Sequence, residues 1–408
     1  MNWTQNLKRR LGLQKNQTAP AAPDQPQLPN THEDELDLEA LELNEASSRA
    51  VAAASQWKLM WWRFRRNKVA IAAIFLLGFL FTAAIFAEFV APYDPTKSNP
   101  SLTYAPPQSI RIFEIDGSLA RPFVYGYRVE IEPEALRRVF TIDPAQRYEL
   151  GLFVRGEPYR LFGVFETNVH LFGTVNPEHH VNLLGADRLG RDLFSRMVHA
   201  TRISLSIGLV SVFLSLILGV SLGGLSGYYG GRVDMAIQRM IEFLDAIPSL
   251  PLWMGFSAAI PLTWPPLWVY FAMTVILSLI GWTGMARVVR GRFLSLREED
   301  FVMSARIGGA GERRIIFRHM LPSFVSHIIA SLSLSIPGRI LGETSLSFLG
   351  LGLKEPIISY GVLLQDAQNV RSVATAPWLI TPALVVMVIV LAYNFLGDGL
   401  RDAADPYA

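Results

Sequence analysis

From Ala246 to Ala286 no position carries a formally charged side chain, and Pro261, Pro265 and Pro266 interrupt the stretch. About 20 apolar residues rising 1.5 Å each cross the roughly 30 Å hydrocarbon layer of a bilayer. The stretch is too long for one crossing, so it is read as spans three and four joined by a tight outer turn. Val69 to Ala87 supplies the first span, within a segment assigned to 69–91, and Ile203 to Leu225 the second. A fifth starts near Pro322 and runs past Arg339, and a sixth lies within Ser372 to Gly397. This pattern predicts an all-α membrane protein with six transmembrane helices and both ends on one side.

Composition enters where it excludes alternatives. Half of the residues are hydrophobic and only 18% are charged, an imbalance unlike that of a soluble chain of this size. There is no cysteine, so neither a disulfide nor a thiolate metal site is available. Some 56 mostly polar residues precede the first apolar run, which is therefore read as a retained span and not a cleaved leader. Those residues, 1–56, are proline-rich and then acidic (Glu33, Asp34, Glu35, Asp37, Glu39, Glu42, Glu45), and read as a disordered cytoplasmic tail. The interspersed Leu36, Leu38, Leu41 and Leu43 leave a short docking helix as the alternative.

Residues 57–68 interleave indoles with cations: Trp57, Lys58, Trp61, Trp62, Arg63, Phe64, Arg65, Arg66 and Lys68. Aromatics settle at headgroup level while cations stay in water, so this is an interfacial elbow helix. A nucleic-acid surface is the weaker reading, because a bilayer-length segment begins at once.

Charge sets the orientation. Residues 287–322 hold eight arginines (Arg287, Arg290, Arg292, Arg297, Arg306, Arg313, Arg314, Arg318), the mark of a cytoplasmic loop. The elbow cations, Arg232 and Arg239 fall on the same side, which makes both termini cytoplasmic. Arg188, Arg191, Arg196 and Arg202 conflict with this, being offset only in part by Asp187 and Asp192. The spacing of Leu193, Phe194, Met197 and Val198 suggests a helix lying along the outer surface there.

The outer segment, 92–182, shows no helical period. Phe123 to Ile131, Tyr148 to Val154 and Tyr159 to His170 are rich in aromatic and β-branched residues, which predicts a small β-rich periplasmic module. Its contact with a neighbouring extracytoplasmic subunit is the expected role. His170, His179 and His180 lack supporting carboxylates, so a metal site is disfavoured.

The run Asp300-Phe301-Val302-Met303-Ser304-Ala305-Arg306-Ile307-Gly308-Gly309-Ala310-Gly311, with Arg313, Arg314, Arg318, His319, Leu321 and Pro322 following, resembles the EAA loop of permeases in binding-protein-dependent ABC importers. The subgroup it resembles is the oligopeptide and dipeptide permeases, C-type subunit. Leu184 to Arg196 and Leu346-Ser347-Phe348-Leu349-Gly350-Leu351-Gly352 carry the same resemblance, which covers 183–408 with the elbow and the first span. Met303 and Ser304 stand where the family has Glu and Ala, and Met320 replaces a common Ile.

The resemblance implies the ABC type I importer permease fold in the bacterial inner membrane. It also implies a second permease, two ABC ATPase subunits and a periplasmic solute-binding protein as partners. Asp300, Met303, Ser304, Ala305, Gly309, Arg313, Arg314, Arg318, Leu321 and Pro322 would then form the loop that couples to the ATPases. The chain has no GxxxxGK[ST] phosphate loop, so it cannot itself be the ATP-driven motor, and the resemblance implies a non-catalytic subunit that binds no cofactor directly and leaves ATP to partner chains. The substrates implied are short peptides or related solutes.

Within span five, Arg339 and Glu343 are i,i+4 neighbours at membrane depth. A charge pair is the leading reading, and contact with a charged peptide terminus or a gate is the rival. In span two, Ser204, Ser206, Ser211, Ser215, Gly219, Gly223 and Gly224 suit either close helix packing or a polar lining. An ATP-independent secondary transporter or channel is the alternative function, and a membrane scaffold a third. A secondary transporter should show similar halves or ion-binding carboxylates in broken helices, which are not evident.

Overall fold

The computed structural model describes residues 56–114, 118–132, 137–261 and 263–404. The acidic tail lies outside the described residues except at its end. Two compact units divide the chain, 1–59 and 60–408. Of the first, residues 56–59 are described and open helix α1 (Gln56–Phe64).

Helix α2 (Lys68–Ile85) starts where the Asn67 side chain accepts from the Ala70 amide at 3.0 Å. A short turn, α3 (Ala87–Val90), continues it. Four antiparallel strands follow in sequential order: β1 (Arg111–Phe113), β2 (Leu119–Glu132), β3 (Arg137–Leu161) and β4 (Phe165–Thr174). The run Tyr159 to His170 spans two strands, joined by a turn at Phe162 to Val164. Two register shifts, at Tyr125/Gly126 and Arg155/Tyr159, accommodate extra β3 residues that include Pro144 and Pro158.

Helix α4 (Leu193–Tyr229) is N-capped by Asp192, whose carboxylate accepts from the Ser195 amide at 2.7 Å. The surface helix expected at Leu193 to Val198 is not separate. Those residues are the first turns of α4, and Leu193, Met197 and Val198 are buried. After α5 (Gly231–Asp245), α6 (Ser249–Ala258) and α7 (Pro266–Leu296) come α8 (Asp300–Ile307) and α9 (Glu312–Arg314). A π-helical turn, Ile315–Met320, and a 3-10 turn, Leu321–Phe324, lead into α10 (Val325–Phe348). The chain ends in α11 (Tyr360–Leu364), α12 (Val370–Thr375) and α13 (Thr381–Ala404).

Among the described residues, five helical segments are long and apolar enough to cross a membrane: Lys68–Ile85, Leu193–Tyr229, Pro266–Leu296, Glu312–Phe348 and Pro377–Ala404. The expected count of six is corrected to five such helices. The missing one is the third, where prolines limit α6 to 10 residues, about 15 Å of rise.

The helices pack around α4. Ala73 and Leu77 of α2, Leu205 and Val212 of α4, Ile336 and Ile340 of α10, and Ile389 and Tyr393 of α13 share one core. Against α7 the approach is closer. A β-carbon at Gly219 would meet Met285, one at Gly223 the Ala286 backbone, and one at Gly227 both Phe293 and Arg290. Packing is thus the role of these glycines, and lipid-solvated helices rely on such contacts because no hydrophobic effect drives them together.

Candidate functional site

The arginine-rich loop and the β-sheet sit at opposite ends of α4. At one end the Tyr229 hydroxyl donates to Glu312 Oε2 at 2.7 Å; at the other, Phe194 packs edge-on against Phe172 of β4, 5.2 Å between centroids. The full length of α4, about 55 Å at 1.5 Å per residue, separates the two regions.

The loop is shorter than its arginines suggest. Arg287, Arg290 and Arg292 belong to α7, where Arg287 pairs with Asp245, and Arg290 contacts Asp234 through Nε (2.5 Å) and Nη2 (2.6 Å). The Arg290 guanidinium holds the Asp234 carboxyl below its ordinary value.

Beyond Glu299, Asp300 opens α8 in its acidic first turn, a placement the helix dipole favours. The helix stops in a Schellman motif: the Gly309 amide donates to the Arg306 carbonyl at 3.1 Å and the Ala310 amide to the Ala305 carbonyl at 3.0 Å. Gly309 occupies the left-handed position of this motif at φ 78. Glycine takes that conformation without the steric cost other residues meet.

One face of this loop is anchored and the other is bare. Val302, Ile315 and Met320 are buried against Val289 and Phe293 of α7 and against Phe324 and Ile328, with Ala305 and Leu321 at the edge of the cluster. Outward lie Phe301, Met303, Ile307 and Phe317, with Ile307 85% exposed. Ser304, Arg306, Arg313, Arg314, Arg318 and Pro322 are exposed with them. Apolar anchors ringed by arginines are the composition of a docking surface.

A cavity of about 490 Å³ lies at membrane depth between α4, α6, α7 and α10, lined by Ser215, Trp253, Gly281, Thr283, Ser331 and Arg339 among others. Arg339 and Glu343 do not pair. Glu343 is fully buried and accepts from Ser204 Oγ at 3.2 Å and Ser347 Oγ at 2.8 Å. Those hydroxyls, not a guanidinium, are the hydrogen-bond partners of its oxygens. Arg339 instead takes the space left by the missing side chain of Gly281, and its buried Nε has no partner among the described residues. Ser215 lines the cavity while donating to the Ser278 carbonyl at 3.1 Å, so both readings of the serine-rich span hold at this residue.

On the sheet side two of the arginines that oppose the charge rule, Arg191 and Arg196, form a buried network, while Arg202 pairs with Glu88. Asp187 accepts from Arg191 Nε at 2.7 Å and from Arg196, and Glu355 accepts from Arg191 and Arg196, each at 2.7 Å. Arg188 reaches Asp366 at 3.0 Å. Burial alone would raise the Glu355 carboxyl, but the Arg191 and Arg196 guanidiniums override it and hold it at about 2. Burial pushes Asp192 up to about 6 despite its bonds from Ser195. Sequence reading missed Glu355 as their partner, because more than 150 residues separate it from Arg191 and Arg196. The only signal was an arginine excess without enough acid nearby.

The three histidines of the sheet region each have partners of their own. His170 lies between the Ala91 and Glu157 carbonyls (2.6 and 3.0 Å), His179 stacks on Tyr148 and His180 on Tyr93.

Comparison with known proteins accounts for this architecture. Residues 215–407 match the model of the binding-protein-dependent transport system inner membrane component. Residues 55–107 match the N-terminal transmembrane domain of oligopeptide transport permease C. The dipeptide transport system permease protein of Lactococcus lactis is 32% identical over 368 residues, covering 88% of this chain and 93% of its own. That of Bacillus subtilis is 30% identical, covering 89% of each. The di/tripeptide transport system permease protein of Pseudomonas aeruginosa is 29% identical, covering 88% of this chain and 95% of its own. Among solved structures, the inward-facing methionine ABC transporter MetNI aligns with 52% of this chain and 97% of its own at 17% identity, with a TM-score of 0.41. With a relative 32% identical along nearly its whole length, this chain belongs to the family of inner-membrane permeases of binding-protein-dependent transport systems.

Proposed function

We propose that this chain is the permease subunit of an ATP-driven importer that forms, with a second permease, the path for short peptides delivered by a binding protein. The observation that carries the reading is the face of α8 and the turns after it, where Ile307, Met303 and Phe317 stand exposed beside Arg306, Arg313 and Arg318. One ATPase subunit docks on that face and a second on the matching loop of the companion permease, and their closure on nucleotide moves α8. Movement passes through Val302 and Ile315 to α7 and α10, which the same cluster joins. Peptide as the substrate class is supported by the relatives, which are dipeptide and di/tripeptide permeases.

The loop and both termini are cytoplasmic in this reading, and the β-sheet is periplasmic. Acidic partners of Arg188, Arg191 and Arg196 cancel the outer positive charge that opposed this orientation. Matching sides for the termini require a sixth crossing, and residues 246–265 supply it without a full-length helix. Asp245 is level with Thr283, whose hydroxyl it accepts at 3.0 Å, and Thr283 lies about 25 Å along α7 from Pro266. Broken backbone at that depth is tolerated because Trp253 and Ser257 of α6 are buried in protein.

Copurification tests the reading. Full-length chain expressed with its partners should bring down two ATPases whose hydrolysis rises when a peptide-loaded binding protein is added. A complex without ATPases, or hydrolysis indifferent to the binding protein, would overturn it.

A further inference from the structure

The β3–β4 hairpin ends in a turn with no polar side chain: Leu161, Phe162, Gly163, Val164 and Phe165 follow one another. Turns are ordinarily built from Gly, Pro, Asn, Asp and Ser. The Val164 amide donates to the Leu161 carbonyl at 3.1 Å, and the two residues between have φ of 53 (Phe162) and 73 (Gly163). Positive φ at both central positions is the type I′ geometry, to which Asn-Gly is suited. A phenylalanine there bears steric strain, because its β-carbon crowds the following carbonyl oxygen. Its ring is also bare: Phe162 is 53% exposed, Val164 72% and Phe165 66%. Phe153 repeats the anomaly at φ 54, exposed beside an exposed Leu152.

Both strained rings approach the end of the first span. Phe162 lies 5.6 Å from Phe86 and Phe153 lies 6.1 Å from Phe89, centroid to centroid. Helical spacing puts Phe75, Phe79 and Phe86 on one face of α2 and its extension, and all three are exposed. An apolar stripe on a membrane-spanning helix thus continues without a break onto the hairpin tip.

We propose that this tip is a lipid anchor: Leu152, Phe153, Phe162, Val164 and Phe165 insert into the bilayer leaflet on the sheet side. Continuity with the bare face of α2 decides the occupant, because a surface already facing hydrocarbon extends onto the tip. Rings at this level sit where aromatic side chains concentrate in membrane proteins. Transfer of the exposed rings out of water offsets the strain that their backbone carries. The anchor fixes the depth of the sheet beside the first span.

The chain has no cysteine, so Phe162→Cys and Val164→Cys each create a unique site for a nitroxide label. The full transporter is placed in lipid nanodiscs, and collision with oxygen, which concentrates in lipid, is compared with collision with a water-soluble nickel chelate. Labels at 162 and 164 should favour oxygen several-fold more than a label on Asp143→Cys in the first β3 irregularity. Adding Phe162→Asn, which suits the turn but removes the ring, should lower the oxygen preference at position 164. Free access of the chelate to the tip would mean that it lies in water. Shielding from both reagents would mean that protein covers it. Either result overturns the proposal, as would an unchanged preference at 164 in the Phe162→Asn background.

Discussion

The Arg339 guanidinium fills the space that a side chain on Gly281 would occupy. Placing a β-carbon at Gly281 therefore displaces the one cationic group that lines the membrane-depth cavity, and it meets only the mobile end of a long side chain. Gly281→Ala should leave abundance in the membrane normal while lowering peptide uptake to about one tenth, the equivalent of ~1.4 kcal/mol in a rate. Arg339→Gln should do the same, and the double variant should be no worse than either. Fully additive losses would show that Gly281 acts independently of Arg339.

The sheet-side network should report itself in stability. Asp187→Asn leaves the buried Arg196 and Arg191 with Glu355 alone, at a cost of about 3 kcal/mol. Thermal unfolding in detergent is the measurement, and an unchanged midpoint would refute the network as a clamp between α4 and the segment after α10.

The pH dependence has a definite sign. Glu355 is held at about 2 against an ordinary 4.5, so its contribution is complete above pH 4.5 and is lost as pH falls toward 2. Asp192 acts oppositely: raised from 3.8 to about 6, it favours the folded state at low pH and loses that contribution as pH rises through that range. Glu355→Gln should flatten the acid limb of the stability profile, and Asp192→Asn the slope between about pH 4 and 6.

Much of this was legible in the chain because membrane constraints are local. Length and hydropathy alone place spans at Val69 to Ala87 and Ile203 to Leu225, which overlap the helices Lys68–Ile85 and Leu193–Tyr229, and aromatic β-branched runs mark the sheet. The turn at Gly309 was legible from the run around it, and the chain does turn there at φ 78. What failed depended on distance or on rotamers. Periodicity put Arg339 and Glu343 on one face, but Ser204 on α4 and Gly281 on α7 drew them to different partners. Counting charge-free residues gave two spans from Ala246 to Ala286, whereas prolines left only the second a full-length helix.

Gly309 discriminates between shape and bulk in the loop. No atom lies within 4 Å of an added β-carbon there, so the φ of 78 is the only obstacle in the isolated chain. Gly309→Asn should retain most substrate-stimulated ATP hydrolysis, since asparagine tolerates the left-handed region, whereas Gly309→Val should cost about 1–2 kcal/mol locally and uncouple transport. Gly309→Asp should also uncouple, through its charge against the ATPase surface. Equal activity of the Asn and Val variants would remove the turn from the coupling mechanism.

In the proposed mechanism, ATP hydrolysed on partner chains drives transport through the exposed face of α8. This mechanism is tested most directly by reconstituting the chain with its partner subunits in proteoliposomes and following uptake of a radiolabelled tripeptide. Wild-type uptake should require both ATP and binding protein. Ile307→Asp, at a position 85% exposed, should abolish uptake and ATPase retention without lowering the unfolding temperature. Uptake that persists without ATP under an imposed ion gradient, or that is unaffected by Ile307→Asp, would contradict the account.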